Sequence, residues 1–237
     1  MLAESVKDAL EGKGLVDLIY AEFFLPPIDR IEIRPNVIYR LCAEKSVLHL
    51  GCTDHDQLID HRIDGGIYPH RQLTYVAEKC LGIDINEKAA AHAREKGIDN
   101  ILVADITCPG ITAIEDSHWD WLVMADVLEH IGNPVQFLKK IGECYGRNIG
   151  GVIITVPNVL SYPIYEASVN GREVVNYDHC YWFSPYTLCK VVHTAGLVID
   201  DIYMCSYENP TQNIRQNMDL FKQRPILLNT IALTAHY

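Results

Sequence analysis

Three acidic residues stand where three apolar runs of this chain end, and these positions could do chemistry. Asp84 closes the run KCLGID, Asp105 follows NILVA, and Asp126 follows WDWLVMA. A carboxylate so placed can accept hydrogen bonds from both hydroxyls of a ribose, or it can cap the helix that follows. Taken singly, Asp84 and Asp105 fit either role equally well. Together with the glycine turn at Gly51, the two acids favour a site for a cofactor that carries a nucleoside.

The turn LHLGCTDHD restricts which cofactor this is. A dinucleotide needs close backbone approach to its pyrophosphate through G-x-G-x-x-G, whereas here Thr53, Asp54 and His55 follow Gly51. The added carboxylate would repel phosphates, so a nicotinamide dinucleotide is disfavoured. S-adenosylmethionine carries no phosphate and its sulfonium and ammonium are positive, so acidic neighbours suit it. One glycine is enough for the tight turn beneath it.

Two histidines beside acids are candidate bases for such a cofactor's chemistry. Methyl transfer from a sulfonium needs an aligned nucleophile, a dry pocket and usually a base. His130 follows Glu129 in DVLEHIGNP, and His179 follows Asp178 in NYDHCYWF. The alternative for each histidine is structural: a hydrogen bond in a helix start for His130, and loop fixing for His179. Glu129 contacts either the acceptor or the helix, and no pattern indicates a required metal.

The elements that must position these residues are alternating apolar runs and helical stretches. This alternation is typical of βαβ units and a parallel sheet with helices on both faces, where ligands bind at the carboxyl ends of the strands. The predicted strands are 46–50, 79–85, 100–105, 119–126, 150–158, 196–204 and a final one within 225–237. We expect one α/β domain at 46–237, preceded by an N-terminal helical cap or arm at 1–45. The polar stretch between the last two strands is predicted as a surface loop or short helix.

The connection at about 160–187 is unusually aromatic. Its rings are Tyr162, Tyr165, Tyr177, Tyr181, Trp182, Phe183 and Tyr186. A long aromatic connection after a core strand indicates a lid over the acceptor, and aromatic faces suit sugars or a cationic amine. We expect Trp182 and Phe183 to pack this lid onto the sheet, and Trp119 and Trp121 to belong to the core.

The composition bounds the compartment and the partners. A formal net charge of −11 over 237 residues argues against non-specific binding of nucleic acid. The first twenty residues scatter charges and contain no unbroken apolar core, so we expect no signal peptide, no membrane span and a cytoplasmic protein. Eight cysteines without any C-x-x-C predict reduced, mostly buried thiols, among them Cys52, Cys80, Cys108 and Cys205 beside apolar runs.

Taken in order, five segments carry a resemblance. VLHLGC, GIDINEKA, VADI, VMADVLEHIGNP and GGVIITVPN resemble the motifs of class I S-adenosylmethionine-dependent methyltransferases, especially the branch of ubiquinone-pathway and polysaccharide-associated enzymes. The later NYDHCYWFSPYTLCKVVHTAGL is similar to the segment before the sixth strand of that branch. The resemblance covers about residues 46–204. It implies a Rossmann-like, doubly wound, seven-stranded sheet whose last strand is antiparallel.

The resemblance also implies a binding site for S-adenosylmethionine. It places Gly51 and Cys52 under the methionine portion of the cofactor, and Asp84 on the ribose hydroxyls. At the adenine it places Ile85 against the base, Asp105 on the amino group and Ile106 on the ring. It also places Ala125 and Asp126 at the methyl-donor site. His49 stands where the family usually has an acid at the methionine end. His70 or Arg71 would reach the methionine carboxylate, with a surface turn as the alternative.

These observations lead us to expect a methyltransferase acting on a small molecule. The first hypothesis is O-methylation of a sugar or sugar-nucleotide in surface-polysaccharide biosynthesis, whose substrate rests on analogy with the branch alone. The alternatives are an N-methyltransferase of a small amine and a non-catalytic, degenerate methyltransferase-fold binding subunit, while the missing G-x-G-x-x-G speaks against a dehydrogenase. The expected partner is a small-molecule acceptor, and we expect binding neither to nucleic acid nor to a membrane. The oligomeric state stays open, with a homodimer as one possibility.

Overall fold

The computed structural model describes residues 8–10, 13, 20, 24–53, 56–207, 215 and 217–237. Parts of the predicted N-terminal cap (residues 1–7, 11–12, 14–19 and 21–23), together with Asp54 and His55, lie outside the described residues. No helix in the described part of the chain is long and apolar enough to cross a bilayer.

Seven strands form one sheet, as predicted. They are β1 (Ser46–Leu50), β2 (Lys79–Asp84), β3 (Ile101–Val103), β4 (Trp119–Ala125), β5 (Ile149–Pro157), β6 (Val198–Cys205) and β7 (Thr230–His236). Their order is β3-β2-β1-β4-β5-β7-β6, and β7 runs antiparallel between β5 and β6. The expected doubly wound sheet with an antiparallel last strand is therefore confirmed. The last strand begins later than the run 225–237 because Pro225–Leu227 forms a 3-10 turn.

Helices cover both faces of this sheet. They are α1 (Arg34–Cys42), α2 (Asp56–Asp64), α3 (Pro69–Val76), α4 (Glu87–Glu95), α5 (Thr112–Glu115), α6 (Pro134–Tyr145), α7 (Tyr162–Val169), α8 (Pro185–Thr194) and α9 (Met218–Gln223). Local sequence explains several of their starts. The Asn86 side chain accepts from Ala89 N at the start of α4, and Ser184 forms a capping box with Thr187 at the start of α8.

Two apolar layers hold the helices on the sheet, because alternate side chains of each strand face opposite sides. On one face Val47 and Val123 pack with Ile38 of α1 and Leu73 of α3. On the other face lies the larger cluster, in which Leu122 of β4 packs with residues of α6 and α8. Helix α1, which lies within the predicted N-terminal segment 1–45, therefore packs in this layer. The predicted division of the chain at residue 45 stays a prediction.

The predicted core aromatics and thiols lie mostly where expected. Trp119 is buried and Trp121 packs against the core at its margin. All eight cysteines are free thiols, and Cys52 and Cys205 are buried. The expectation for Cys108 is wrong, since the strand β3 ends before it and leaves it exposed in the following turn.

Candidate active site at the carboxyl edge of the sheet

The first turn at this edge accepts only glycine. Gly51 has a φ of +66°, and a Cβ at this position would lie 2.8 Å from Val127 Cγ2. Its amide donates to Ile83 O at 2.9 Å, which ties the turn to β2. Both the left-handed backbone and the close approach require the missing side chain. The segment after β4 therefore passes directly against the turn after β1.

Asp84 connects two of the edge loops. One carboxylate oxygen accepts from Thr53 N at 2.9 Å and from Thr53 Oγ1 at 2.7 Å, and the other accepts from Asn86 N at 2.9 Å. Each carboxylate oxygen has two lone pairs, so acceptor capacity remains. Thr53, which replaces a motif glycine, thus anchors the first loop to the acid predicted to bind ribose. The contact of Asp84 with a ribose remains a prediction.

The three residues predicted at the adenine, Ile85, Asp105 and Ile106, differ in exposure. Ile85 presents an apolar side chain at the edge, 75% exposed. Ile106 is 2% exposed inside the main core, so the prediction that it packs on the adenine ring is wrong. Asp105 is exposed and accepts from Thr107 N at 2.9 Å and Thr107 Oγ1 at 2.7 Å, which lowers the pKa of its carboxyl. Asp105 fixes its own turn in the way the capping alternative described.

His49 and His70 form a buried pair under the sheet. Their Nδ1 atoms lie 3.2 Å apart, and His70 Nε2 lies 3.3 Å from the carbonyl oxygen of Asn100. Burial lowers the pKa of His70 to about 4, and burial with the neighbouring His70 lowers the pKa of His49. Two neutral rings can share this hydrogen bond only if one donates and the other accepts.

The predicted roles of His70 and Arg71 at the methionine carboxylate are therefore corrected. His70 is wholly buried on α3 and uncharged, so it is neither a surface-turn residue nor a cation for a carboxylate. The Arg71 guanidinium donates to the carbonyl oxygens of Lys96 and Gly97, at 2.9 and 3.5 Å, where α4 ends. Neither side chain faces the carboxyl edge, because α3 packs beneath β1 and β2.

A cavity of about 330 Å³ opens between α1, α3 and the ends of β1 and β4. His49 and Ala125 line it, together with Arg34, Tyr39, Arg62 and Tyr207, none of which was predicted at a site. These residues add cations and hydroxyls to an otherwise apolar wall. The sequence offered no motif for them, because they come from three segments that only the fold brings together.

Arg34 is the principal functional candidate that sequence reasoning missed. Its guanidinium, 8% exposed as a residue, forms an ion pair with Asp126 and lies 4.2 Å over the ring of Tyr207. Asp126 also accepts from Thr155 Oγ1 at 3.1 Å and has a φ of +56°, unusual for a residue with a side chain. The strained turn points the Asp126 carboxylate at the cavity side of β4.

The four predicted catalytic residues lie together. His130 Nδ1 is 3.4 Å from Asp178 Oδ1, an ion-pair distance, and the His130 and His179 rings meet edge to face with centroids 4.7 Å apart. Glu129 is wholly buried beside them, and burial, aided by the charge of Asp126, raises the pKa of its carboxyl to about 8. We call Glu129, His130, Asp178 and His179 the edge cluster.

Backbone hydrogen bonds join the two segments that carry the edge cluster. The amides of Cys180 and Tyr181 donate to Glu129 O at 2.8 and 3.2 Å, and the Tyr181 hydroxyl donates to Gly132 O at 2.8 Å. The 3-10 turn Leu128–His130 is thereby fixed against the aromatic connection. Side chains about fifty positions apart in sequence share one site.

The site has a metal-ligating capacity that the sequence alone did not indicate. One ligand atom from each of Glu129, His130 and His179 lies within 4.8 Å of the others. The sequence signal was the adjacent pair Glu129–His130. Such a pair matches no recognised metal-ligand spacing, and nothing in the sequence shows that His179 lies beside it.

The aromatic connection contains α7 and an extended segment up to Phe183. Phe183 is 3% exposed, as expected, and Trp182 is half-buried with its ring 6.2 Å from His179. Tyr165 and Tyr177 are 62% and 90% exposed. The connection therefore presents exposed tyrosine rings, and its role as a lid remains a prediction.

The sequence model of a family described as a methyltransferase domain matches residues 20–202. The chain belongs to this methyltransferase family. It is a class I S-adenosylmethionine-dependent methyltransferase. Its seven-stranded sheet with an antiparallel β7 is a Rossmann-like methyltransferase fold, which its structural neighbours share.

This methyltransferase shares low sequence identity with the following three proteins. A ubiquinone biosynthesis O-methyltransferase of Nitrosospira multiformis is 24% identical over 227 residues, covering 88% of this chain and 92% of the relative. Magnesium protoporphyrin IX methyltransferase of Synechocystis PCC 6803, crystallised with S-adenosylhomocysteine, matches with a TM-score of 0.54 at 14% identity, covering 85% of this chain and 81% of that one. The small RNA methyltransferase HEN1 matches with a TM-score of 0.56 at 14% identity, covering 86% of this chain and 24% of that chain. The solved structures show the shared fold.

The residues at the carboxyl edge fit the cofactor of this family. S-adenosylmethionine is the cofactor of the methyltransferase, and when bound it supplies a methyl group on a positively charged sulfur. A bare backbone at Gly51, an exposed apolar Ile85 and a carboxylate at Asp84 suit a nucleoside without phosphates. The edge offers acids rather than a glycine-rich phosphate cradle, in agreement with the sequence analysis.

Proposed function

We propose that this methyltransferase methylates a hydroxyl oxygen of a small-molecule acceptor, and that the edge cluster activates that hydroxyl. The observation that carries the proposal is the assembly of Glu129, His130, Asp178 and His179 directly after β4. An alcohol is a weak nucleophile at neutral pH, so a group that takes its proton is needed. Imidazole is the side chain whose proton affinity suits this task near pH 7, and an adjacent carboxylate stabilises the imidazolium.

We place the cofactor across the ends of β1, β2 and β4. Gly51 and Cys52 would lie under its methionine portion, Asp84 would accept from the ribose hydroxyls and Ile85 would cover the adenine. Asp105 would approach the adenine amino group from its turn. Arg34 is the cation best placed to meet the methionine carboxylate, because it lines the cavity beside Ala125.

This placement sets the methyl-donor site beside Asp126. Arg34 of the cavity wall forms an ion pair with Asp126, and the edge cluster begins three positions later in the chain, at Glu129. Asp126 keeps negative charge near a positive sulfur, which stabilises the bound cofactor. The buried Glu129 and half-buried Trp182 keep the acceptor side poor in water, which strengthens each polar contact.

We propose a sugar or sugar-nucleotide in surface-polysaccharide biosynthesis as the acceptor. The exposed rings of Tyr177, which precedes Asp178, and of Tyr181, whose amide donates to Glu129 O, support this class, because aromatic faces stack on sugar rings. The relative named a ubiquinone biosynthesis O-methyltransferase supports oxygen as the methylated atom. Ubiquinone precursors and small amines are therefore the comparison acceptors.

The cofactor assignment is tested by titrating S-adenosylmethionine into variants in a calorimeter. Asp84→Ala removes the carboxylate, and losing charge-assisted hydrogen bonds from two hydroxyls costs about 3 kcal/mol, roughly a hundredfold in Kd. Because Asp84 also holds Thr53, the matched variant Thr53→Val removes the hydroxyl contact and keeps the carboxylate. Asp116→Asn, on an exposed residue, controls for charge.

The expected result is a large loss in Asp84→Ala and a small one in Thr53→Val. Equal losses in both variants would mean that Asp84 acts only as a loop anchor. Wild-type affinity in Asp84→Ala would refute the placement of the ribose.

A further inference from the structure

We propose that Glu129, His130 and His179 bind one divalent transition-metal ion, which contacts the acceptor hydroxyl; this inference rests on the proposed function and deepens it. One ligand atom from each residue lies within 4.8 Å of the others. Metal–ligand bonds of about 2.0–2.2 Å bring such atoms to roughly 3–3.5 Å from one another, so modest ring rotations complete the site. Two imidazoles and a carboxylate suit Zn²⁺, Co²⁺ or Mn²⁺ better than Mg²⁺.

The Glu129 carboxylate independently indicates a cation-binding site. Glu129 is wholly buried, and neither of its carboxylate oxygens accepts a hydrogen bond from any residue that the structure describes. A carboxylate left in this condition is costly unless it is neutralised or paired. The nearby cation Arg34 is already paired with Asp126, so it does not satisfy Glu129.

The charges around the edge cluster favour a cation at this place. Asp126 and Asp178 both add negative charge near Glu129, and Arg34 is the opposing positive charge. The buried Glu129 side chain therefore has two acids and one guanidinium near it. A divalent ion restores the balance while the two imidazoles stay neutral and supply lone pairs.

The surroundings of the ligands are organised before any metal arrives. Asp178 Oδ1 lies 3.4 Å from His130 Nδ1, and a carboxylate next to one ring nitrogen orients the imidazole and leaves the other nitrogen to bind metal. The amides of Cys180 and Tyr181 hold the His179 segment on Glu129 O. The ligands thus come from two segments with a fixed separation.

The chemistry follows from a coordination position left open for the acceptor. With the ion bound, both imidazoles serve as ligands, so the ion takes over from an imidazole the activation of the hydroxyl. It lowers the pKa of the hydroxyl that contacts it, and the proton passes to solvent water. The acceptor oxygen then forms a bond to the methyl carbon as the carbon–sulfur bond breaks, and that electron pair stays on sulfur. No oxidant or reductant is needed.

Cobalt binding tests the site without relying on activity. The whole chain is dialysed against a chelator and titrated with Co²⁺, followed by calorimetry and by visible absorption of the bound ion. We expect one Co²⁺ per chain. Glu129→Gln and His179→Gln should each bind Co²⁺ about tenfold to a hundredfold more weakly. His193→Gln, on an exposed residue of α8 outside the edge cluster, is the matched control and retains wild-type binding. Circular dichroism and S-adenosylmethionine affinity report whether the variants stay folded.

The outcomes separate this inference from the proposed function. Absence of stoichiometric Co²⁺ binding, or equal binding by wild type and both ligand variants, overturns the metal site. Full-rate methylation of a hydroxyl by the chelator-treated protein also overturns it and leaves the proposed function standing. Co²⁺ binding that both variants lose supports the site even where no hydroxyl is methylated, in which case the proposed function alone fails.

Discussion

Substitution of Gly51 by alanine tests the geometry of the cofactor turn. The new Cβ would sit 2.8 Å from Val127 Cγ2, and the backbone keeps a φ of +66°. The left-handed conformation costs about 1–2 kcal/mol for a residue with a side chain, and forcing a methyl group into a packed contact costs about 1–3 kcal/mol more. We therefore expect the free energy of unfolding to fall by about 2–5 kcal/mol.

Gly66→Ala separates the two costs. Gly66 has nearly the same φ, +67°, and a Cβ there would meet nothing within 4 Å. This control should lose only the conformational part, about 1–2 kcal/mol. The double variant Gly51→Ala with Val127→Ala removes the contacted methyl group and should recover the difference between the two single glycine variants.

Urea unfolding measures these free energies, and calorimetric titration with S-adenosylmethionine measures the effect on the site. Because the added methyl group displaces the turn beneath the cofactor, affinity should fall in Gly51→Ala and not in Gly66→Ala. Equal stability losses in both variants, with unchanged cofactor affinity in each, would refute the reasoning that close approach selects glycine at position 51.

Two further predictions concern buried charges. Folding lowers the pKa of His70 from 6.5 to about 4, so between these pH values the unfolded chain binds a proton that the folded chain does not; stability should fall by about 3 kcal/mol as pH drops through this window. Urea titrations should show that His70→Gln flattens this part of the pH–stability curve, whereas the control His193→Gln, on an exposed residue, should not. Identical curves for the wild type and both variants would contradict the lowered pKa of His70. Arg34→Met leaves the Asp126 carboxylate without its cation and should lower the free energy of unfolding by about 2–4 kcal/mol, with the double variant that also carries Asp126→Asn recovering much of the loss. Additive losses in that double-mutant cycle would show that the ion pair carries no coupling.

The sequence was sufficient for the sheet and for the acids at its edge. Uninterrupted apolar runs such as GGVIITVPN specify buried parallel strands, and the carboxyl ends of such strands are where polar residues collect. The same logic brought Asp84 and Asp126 to one edge. Strand ends were less certain, as at β3, where Asp105 binds Thr107 and starts a turn earlier than predicted.

Contacts between distant segments explain most of what the sequence did not reveal. Arg34 meets Asp126 across 92 positions, and no local pattern marks that pair. His49 of β1 and His70 of α3 meet because α3 packs on the sheet, so the place of His70 in the long segment between the first two strands misled its prediction. Ile106 follows a strand end as Ile85 does, yet its side chain turns into the core. Side-chain direction after a strand depends on the turn, which spacing alone does not encode.

The most direct test of the account is to identify the atom that receives the methyl group. The protein is incubated with methyl-labelled S-adenosylmethionine and matched acceptors that differ only in a hydroxyl or an amine, and the products are resolved by mass spectrometry and NMR. The account predicts an O-methyl product, with a rate that falls about 100-fold or more in His130→Gln while cofactor affinity is unchanged. An N-methyl product, or a wild-type rate in His130→Gln, would contradict it.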